Sequence, residues 1–231
     1  MHDSAILNGR RFFDTYVARL GAVSVVDIGA QDVTGSLRTL CPPEAKYTGV
    51  DFIDGKGVDI VFSDPYKLPF DNSAVDVVVS SSCFEHSEMF WVLFLEIMRV
   101  LRPDGLFYLN APSNGRYHRY PVDCWRFYPD SGMALVKWSR LNGYNPALLE
   151  SYTSNQIRIW NDYVAIYLKD EKQIAKHPDR ILRTITEFTN GFLWTSTDSL
   201  NHREIPEDQR FLGWRIHKKC IRLMAKLRNG F

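Results

Sequence analysis

The feature that most constrains this chain is a short apolar run, Val-Ser-Val-Val-Asp-Ile at residues 23–28, that opens directly onto Gly29. A run this short with little polar alternation suits a strand buried on both faces of a parallel sheet. Comparable runs recur at 47–51, 59–62, 75–80 and 106–110, and two later ones at 148–153 and 163–168. Helical spacing fills several of the gaps. Ile6, Phe12, Phe13, Tyr16, Val17 and Leu20 predict a helix over 4–20, which Gly21 stops. A short helix is expected to run to Leu40, where Cys41-Pro42-Pro43 breaks it. Ser87 is a candidate cap for a helix carrying Phe90, Trp91, Phe94, Leu95, Met98 and Leu101, with Pro103-Asp104-Gly105 as its terminating turn. A further helix is expected over 131–141. Strands alternating with helices predict a doubly wound, mostly parallel α/β sheet of seven strands with helices on both faces. Beyond Lys169 the pattern changes, and helices are expected at 178–189 and 207–227. The chain therefore divides into a domain at 1–169 and a C-terminal helical extension at 170–231.

Composition excludes several partners. The net charge over 231 residues is +1, so no global field attracts nucleic acid. The longest apolar run, 89–95, is far too short to span a bilayer, and Met-His-Asp-Ser is not the start of a signal peptide. Cys41, Cys83, Cys124 and Cys220 are scattered without a Cys-x-x-Cys pair, which reads as reduced thiols in the cytoplasm. The tail holds Arg215, Lys218, Lys219, Arg222, Lys226 and Arg228 around Trp214, Ile221, Met224 and Leu227. Such a basic amphipathic helix either docks by its apolar stripe or makes peripheral contact with an anionic membrane.

In a sheet of this kind a ligand sits beyond the carboxyl ends of the strands. Asp27 lies near the end of the first strand, Gly29 follows it, and Asp51 ends the second strand about 20 residues on, where a carboxylate can accept from two ribose hydroxyls. That placement fits either a dinucleotide or S-adenosylmethionine. The loop Gly29-Ala30-Gln31-Asp32-Val33-Thr34-Gly35 carries side chains where a pyrophosphate would need glycines, so it argues against the dinucleotide. No Tyr-x-x-x-Lys and no Gly-Lys-Ser/Thr occurs either.

Further along come Asp64-Pro65-Tyr66-Lys67-Leu68-Pro69-Phe70, the valine-rich strand, Glu85-His86 and Leu101-Arg102-Pro103-Asp104-Gly105-Leu106. With the loop, this order resembles the class I, Rossmann-like S-adenosylmethionine-dependent methyltransferases of the type 11 small-molecule branch. The resemblance is strong over 23–110 and weaker to Lys169. It implies that Asp27 and Gly29 hold the methionine end of S-adenosylmethionine, with Gln31 in the same loop. It also implies that Asp51 holds the ribose, Phe52 packs on the adenine, Asp64 accepts from the adenine amino group, and Ser81 and Ser82 line the methionine tail. Gln31 and Val33 depart from the family, in which glycine is common at both places. Asp64-Pro65-Tyr66 precedes the fourth strand and lacks a second proline, unlike the motif of nucleic-acid amino-methylating enzymes.

Methyl transfer from a sulfonium is an in-line displacement, so positioning dominates and a hydroxyl acceptor also needs a base. His86, just past the fourth strand, is the candidate base, with Glu85 to orient it; the pair is alternatively a divalent-metal ligand, similar to an arrangement in some quinone O-methyltransferases. The stretch 111–130 should overhang the same pocket. It carries His118 and Asp123 as further catalytic candidates, together with Arg116, Arg119, Arg126 and several aromatic rings. Rings and guanidinium forks suit a sugar, including a phosphorylated or nucleotide-linked one. Pro121-Val122-Asp123-Cys124-Trp125-Arg126-Phe127-Tyr128-Pro129 resembles a segment of bacterial methyltransferases associated with surface-polysaccharide synthesis. The expected activity is O-methylation of a sugar, sugar nucleotide or glycan precursor. A non-catalytic binding module, methylation of another small molecule such as a quinol, and a nicotinamide-dependent reductase are the alternatives.

Overall fold

The computed structural model describes residues 2–204 and Cys220. The helix at 207–227, and with it the membrane contact, falls outside the described residues. Among the described residues no helix is long and apolar enough to cross a membrane.

Eight strands form one sheet: β1 (Ser24–Ile28), β2 (Lys46–Asp51), β3 (Ile60–Val61), β4 (Val75–Ser81), β5 (Leu101–Pro112), β6 (Ala147–Ser154), β7 (Asp162–Leu168) and β8 (Phe188–Leu193). Their order is β3-β2-β1-β4-β5-β7-β6-β8. The first five are parallel, while β7, β6 and β8 run antiparallel to their neighbours. The central strands are buried on both faces because helices cover each. On one side lie Phe12, Phe13, Tyr16 and Val17, from α1 (Asp3–Phe12) and the π-turn that continues it (Phe13–Val17). On the other lie Leu93, Phe94, Ile97 and Met98 of α2 (Phe90–Val100), with Leu135 and Val136 of α3 (Ser131–Leu141).

Four expectations need correction. The sheet has an eighth strand, because the helix expected at 178–189 does not form. A 3₁₀ turn at Ile181–Arg183 is followed by β8, which pairs with β6. The chain thus passes residue 170 and returns to the same sheet instead of forming a purely helical appendage. The segment before Cys41 is one 3₁₀ turn, Leu37–Leu40, too short for an α-helix. Pro103-Asp104-Gly105 does not end a helix; it bulges out of β5, whose pairing with β4 jumps from Val75↔Leu101 to Val77↔Leu106. The carbonyls freed there accept from Lys169 and Asp170 N–H. Ser87 closes a 3₁₀ turn, Phe84–His86, and α2 begins after Met89 without a side-chain cap.

One buried carboxylate ties the covering layer to the sheet. Glu150 on β6 is fully buried and accepts from Tyr16 Oη at 2.6 Å, Ile181 N at 2.7 Å and Leu182 N at 2.9 Å. Burial raises its pKa from the ordinary range despite these donors. Glu150→Ala leaves a hydroxyl and two amides unpaired in the interior, so we expect a loss of about 3 kcal/mol, read as a lower urea midpoint with an unchanged slope.

Candidate active site

The turns after β1, β2 and β4 meet at one edge of the sheet and enclose a cleft of about 410 Å3. That is within the usual range of small-molecule sites, about 300–1,000 Å3. Gly29 makes the junction possible. Its φ is +79°, and a Cβ there would lie 2.7 Å from the Cys83 side chain. The N–H groups of Gly29 and Ala30 both donate to Val50 O, which fastens the first turn to β2.

Most of the residues expected to bind a cofactor gather here: Asp27, Gly29, Gln31, Asp51, Phe52, Ser81 and Ser82 all line the cleft. Asp51 accepts from the N–H groups of Gln31 at 3.3 Å and Ile53 at 3.2 Å, so its carboxylate is held at the strand end. Phe52 is 49% exposed, an apolar ring open to the cleft. Ser81 Oγ is buried with no hydrogen-bond partner. Asp27 accepts from Tyr47 Oη at 2.6 Å, yet burial pushes its pKa up to about 7. Asp64 stands apart. It is exposed, does not line the cleft, and accepts from Tyr66 N at 2.9 Å in a local turn before the bend at Pro65.

The catalytic candidates lie at the other end. His86 lines the cleft, with Nδ1 bonded to Val122 O. Burial lowers its pKa, so the imidazole is neutral near pH 7. Glu85 is buried behind it, its Oε1 3.8 Å from His86 Nε2, and burial pushes its carboxyl up to about 8. His118 stands edge-on to His86 with ring centroids 5.0 Å apart. Asp123 accepts from His118 N at 2.6 Å and from both terminal nitrogens of Arg126 at 2.5 and 2.8 Å, and Arg126 holds its pKa down at about 2. Neither His118 nor Asp123 reaches the cleft wall; they stand behind His86 and shape the overhanging segment.

The segment expected to overhang the pocket does so, lining it through Arg119, Tyr120 and Pro121; Tyr120 is the one whose part was not anticipated individually. Tyr120 Oη donates to Gln31 Oε1 at 2.7 Å and bridges the overhang to the cofactor loop. No local pattern signals this pairing, which joins residues 89 positions apart. The overhang is anchored by backbone: Cys124 and Trp125 N–H donate to Glu85 O, and Phe127 N–H to Pro112 O. Phe127 is buried against Phe84 and Phe90.

Comparison with known proteins agrees with this geometry. Residues 14–109 match a family model described as "Methyltransferase domain". A phthiotriol/phenolphthiotriol dimycocerosates methyltransferase of Mycobacterium tuberculosis is 34% identical over 122 residues, covering 45% of this chain and 43% of that protein. Its namesake in Mycobacterium leprae is 30% identical over 132 residues, covering 51% and 43%. The chain thus aligns with less than half the length of these curated relatives. Among solved structures, the 1,6-didemethyltoxoflavin-N1-methyltransferase of Burkholderia thailandensis superposes with a TM-score of 0.54 at 15% identity, covering 73% of this chain and 80% of that one. The [4+2]-cyclase SpnF superposes at 0.53 and 13% identity, covering 71% and 81%. At such identities the likeness shows the fold, and the cyclase illustrates that this fold hosts more than one reaction.

Asp27 provides a test of the site's electrostatics. Its folded pKa of about 7 exceeds the ordinary 3.8, so between those values the folded chain keeps a proton that the unfolded chain has released. The contribution of Asp27 to stability is therefore largest at low pH and declines as pH rises from about 4 to 7. In Asp27→Asn this decline should vanish from the pH dependence of the urea midpoint, measured without cofactor. Over residues 14–109 the chain is thus similar to a methyltransferase domain, carried on a Rossmann-like α/β fold.

Proposed function

We propose that this chain transfers a methyl group from S-adenosylmethionine to a hydroxyl of a sugar, sugar nucleotide or surface-glycan precursor, in the cytoplasm. The observation that carries the reading is the shared cleft. Asp27, Gly29, Asp51 and Ser81 line it at the strand ends, while His86 and the overhang residues Arg119 and Tyr120 line its rim. The donor set fits the cofactor. The Asp51 carboxylate suits a ribose diol, and the Phe52 ring suits a flat base. Asp27 and the unpartnered Ser81 Oγ suit the amino-acid tail. When bound, S-adenosylmethionine supplies an activated methyl group, and the chain's own residues must position the acceptor in line with it. His86 is suited to take the hydroxyl proton. A carbonyl occupies its Nδ1, which leaves the Nε2 lone pair available.

The glycan acceptor is supported by the overhang itself. Tyr117 and Tyr120 are 73% and 52% exposed beside Arg116 and Arg119, rings and cations suited to a sugar carrying anionic groups. A second reading is a lipid alcohol, favoured by the curated relatives, whose name denotes methylation of phthiotriol dimycocerosates.

S-adenosylmethionine and S-adenosylhomocysteine should each raise the melting temperature by several degrees, and Asp51→Ala should abolish both shifts. Absence of any shift at millimolar cofactor would overturn the reading. A methyl-transfer screen over nucleotide sugars, glycan fragments and long-chain alcohols then chooses the acceptor. Once an acceptor is known, His86→Ala should lower kcat about 100-fold and leave the cofactor Kd within a factor of about two.

A further inference from the structure

Behind the cleft wall, Glu85, His86 and His118 converge from two segments, and one potential ligand atom from each lies within 4.8 Å of the others. Glu85 is 1% exposed, and its Oε2 makes no hydrogen bond. The nearby Arg126 makes no hydrogen bond to it: both terminal nitrogens go to Asp123 at 2.5 and 2.8 Å, and its Nε is itself without a partner. A buried carboxyl oxygen left without a partner is costly unless a proton or a cation meets it, and a cation there would take the place of the proton.

Each imidazole keeps one ring nitrogen available as a ligand. His86 Nδ1 is bonded to Val122 O. His118 Nδ1 lies 3.1 Å from Arg116 O and 3.4 Å from Asp123 Oδ2. These partners only accept, so Nδ1 carries the hydrogen in each ring and the lone pair is left on Nε2. A carbonyl or carboxylate on the far nitrogen is the outer-shell arrangement that orients metal-binding histidines. His86 Nε2 already lies 3.8 Å from Glu85 Oε1.

We propose that Glu85, His86 and His118 form a two-histidine, one-carboxylate site for a divalent transition-metal ion of the zinc, cobalt or iron(II) class. Imidazole nitrogens favour these ions over magnesium or calcium, which prefer all-oxygen shells. Bonds near 2.1 Å in a tetrahedral site put ligand atoms about 3.4 Å apart, so separations of up to 4.8 Å close by up to about 1.4 Å. The His118 side chain, 37% exposed, has room to supply that movement and marks the entry side. Because His86 also lines the cleft, the site adjoins the space where an acceptor would lie. The last point rests on the methyl-transfer reading; the binding site does not. His86 Nε2 is a ligand when the site is loaded and a base when it is empty, so the two roles are alternatives for one lone pair.

The test is cobalt(II) titration of the full chain after chelator treatment. We expect one ion per chain, visible absorption bands from the bound cobalt, and bleaching of those bands by equimolar zinc(II). Binding should weaken at least tenfold in Glu85→Gln and in His118→Ala. Should Glu85→Gln fail to fold, His118→Ala decides alone, since it alters a partly exposed side chain. Wild-type chain that takes up no cobalt, or His118→Ala that binds as tightly as wild type, would overturn the proposal. The melting shift with S-adenosylmethionine, measured on the same samples, reports separately on the cofactor reading.

Discussion

Every other feature of this molecule depends on covering both faces of a sheet whose central strands carry apolar side chains on each side. Val25, Val77 and Val79 face one layer, and Val26, Val78 and Phe107 face the other. The layers are not built alike. One is made of α2 and α3, while the other relies on α1, its π-turn and the 3₁₀ turn at Ile181–Arg183. Glu150 joins these last two pieces by accepting from both. With both faces shut, the ends of β1, β2 and β4 are left as the place where backbone turns can gather around a ligand.

Legibility in the sequence followed burial. The strands covered on both faces stand out as short valine-rich or aromatic runs, and the turns at Gly29 and Asp51 could be located from the strands they end. The eighth strand was hidden because it lies at an edge, carries Asn190-Gly191 within it, and has β6 as its sole strand neighbour in the sheet order, with one bridge from Gly191 to Leu200 on its other side. Nothing local distinguishes such a segment from a loop or a helix start after Pro178. The bulge at Pro103-Asp104-Gly105 was hidden because those residues serve a turn and a bulge equally well. In the site, the carboxylates, Gly29 and the two serines were readable because each sits at a strand end. The overhang at 111–130 was readable as a whole, but the bond between Tyr120 and Gln31 was not, since only the folding back of the chain brings those two together. Asp64 shows the converse: its carboxylate is used within its own turn.

Electrostatics divides the cleft into two ends. Around Asp27, burial works against ionisation, so that end is sensitive to the charge of whatever fills it. Around Asp123, Arg126 settles the charge internally, and the overhang keeps a fixed shape through that pair. Glu85 and His86 lie between the two regimes, buried enough to be unsettled and close enough to the wall to act on its contents.

The overhang is held by carbonyls and amides at Glu85 and Pro112, by Phe127 beneath it, and by side-chain bonds that include Tyr120 to Gln31, Trp125 to Ser87 O and His86 to Val122 O. Little of its attachment depends on the side chains of Arg116 or Tyr117, the latter 73% exposed. Those positions are therefore free to drift through evolution without loosening the roof they stand on. A lineage with this architecture can change what the rim of the cleft meets by surface substitution alone, while the strand-end half around Asp27, Gly29 and Asp51 stays as it is.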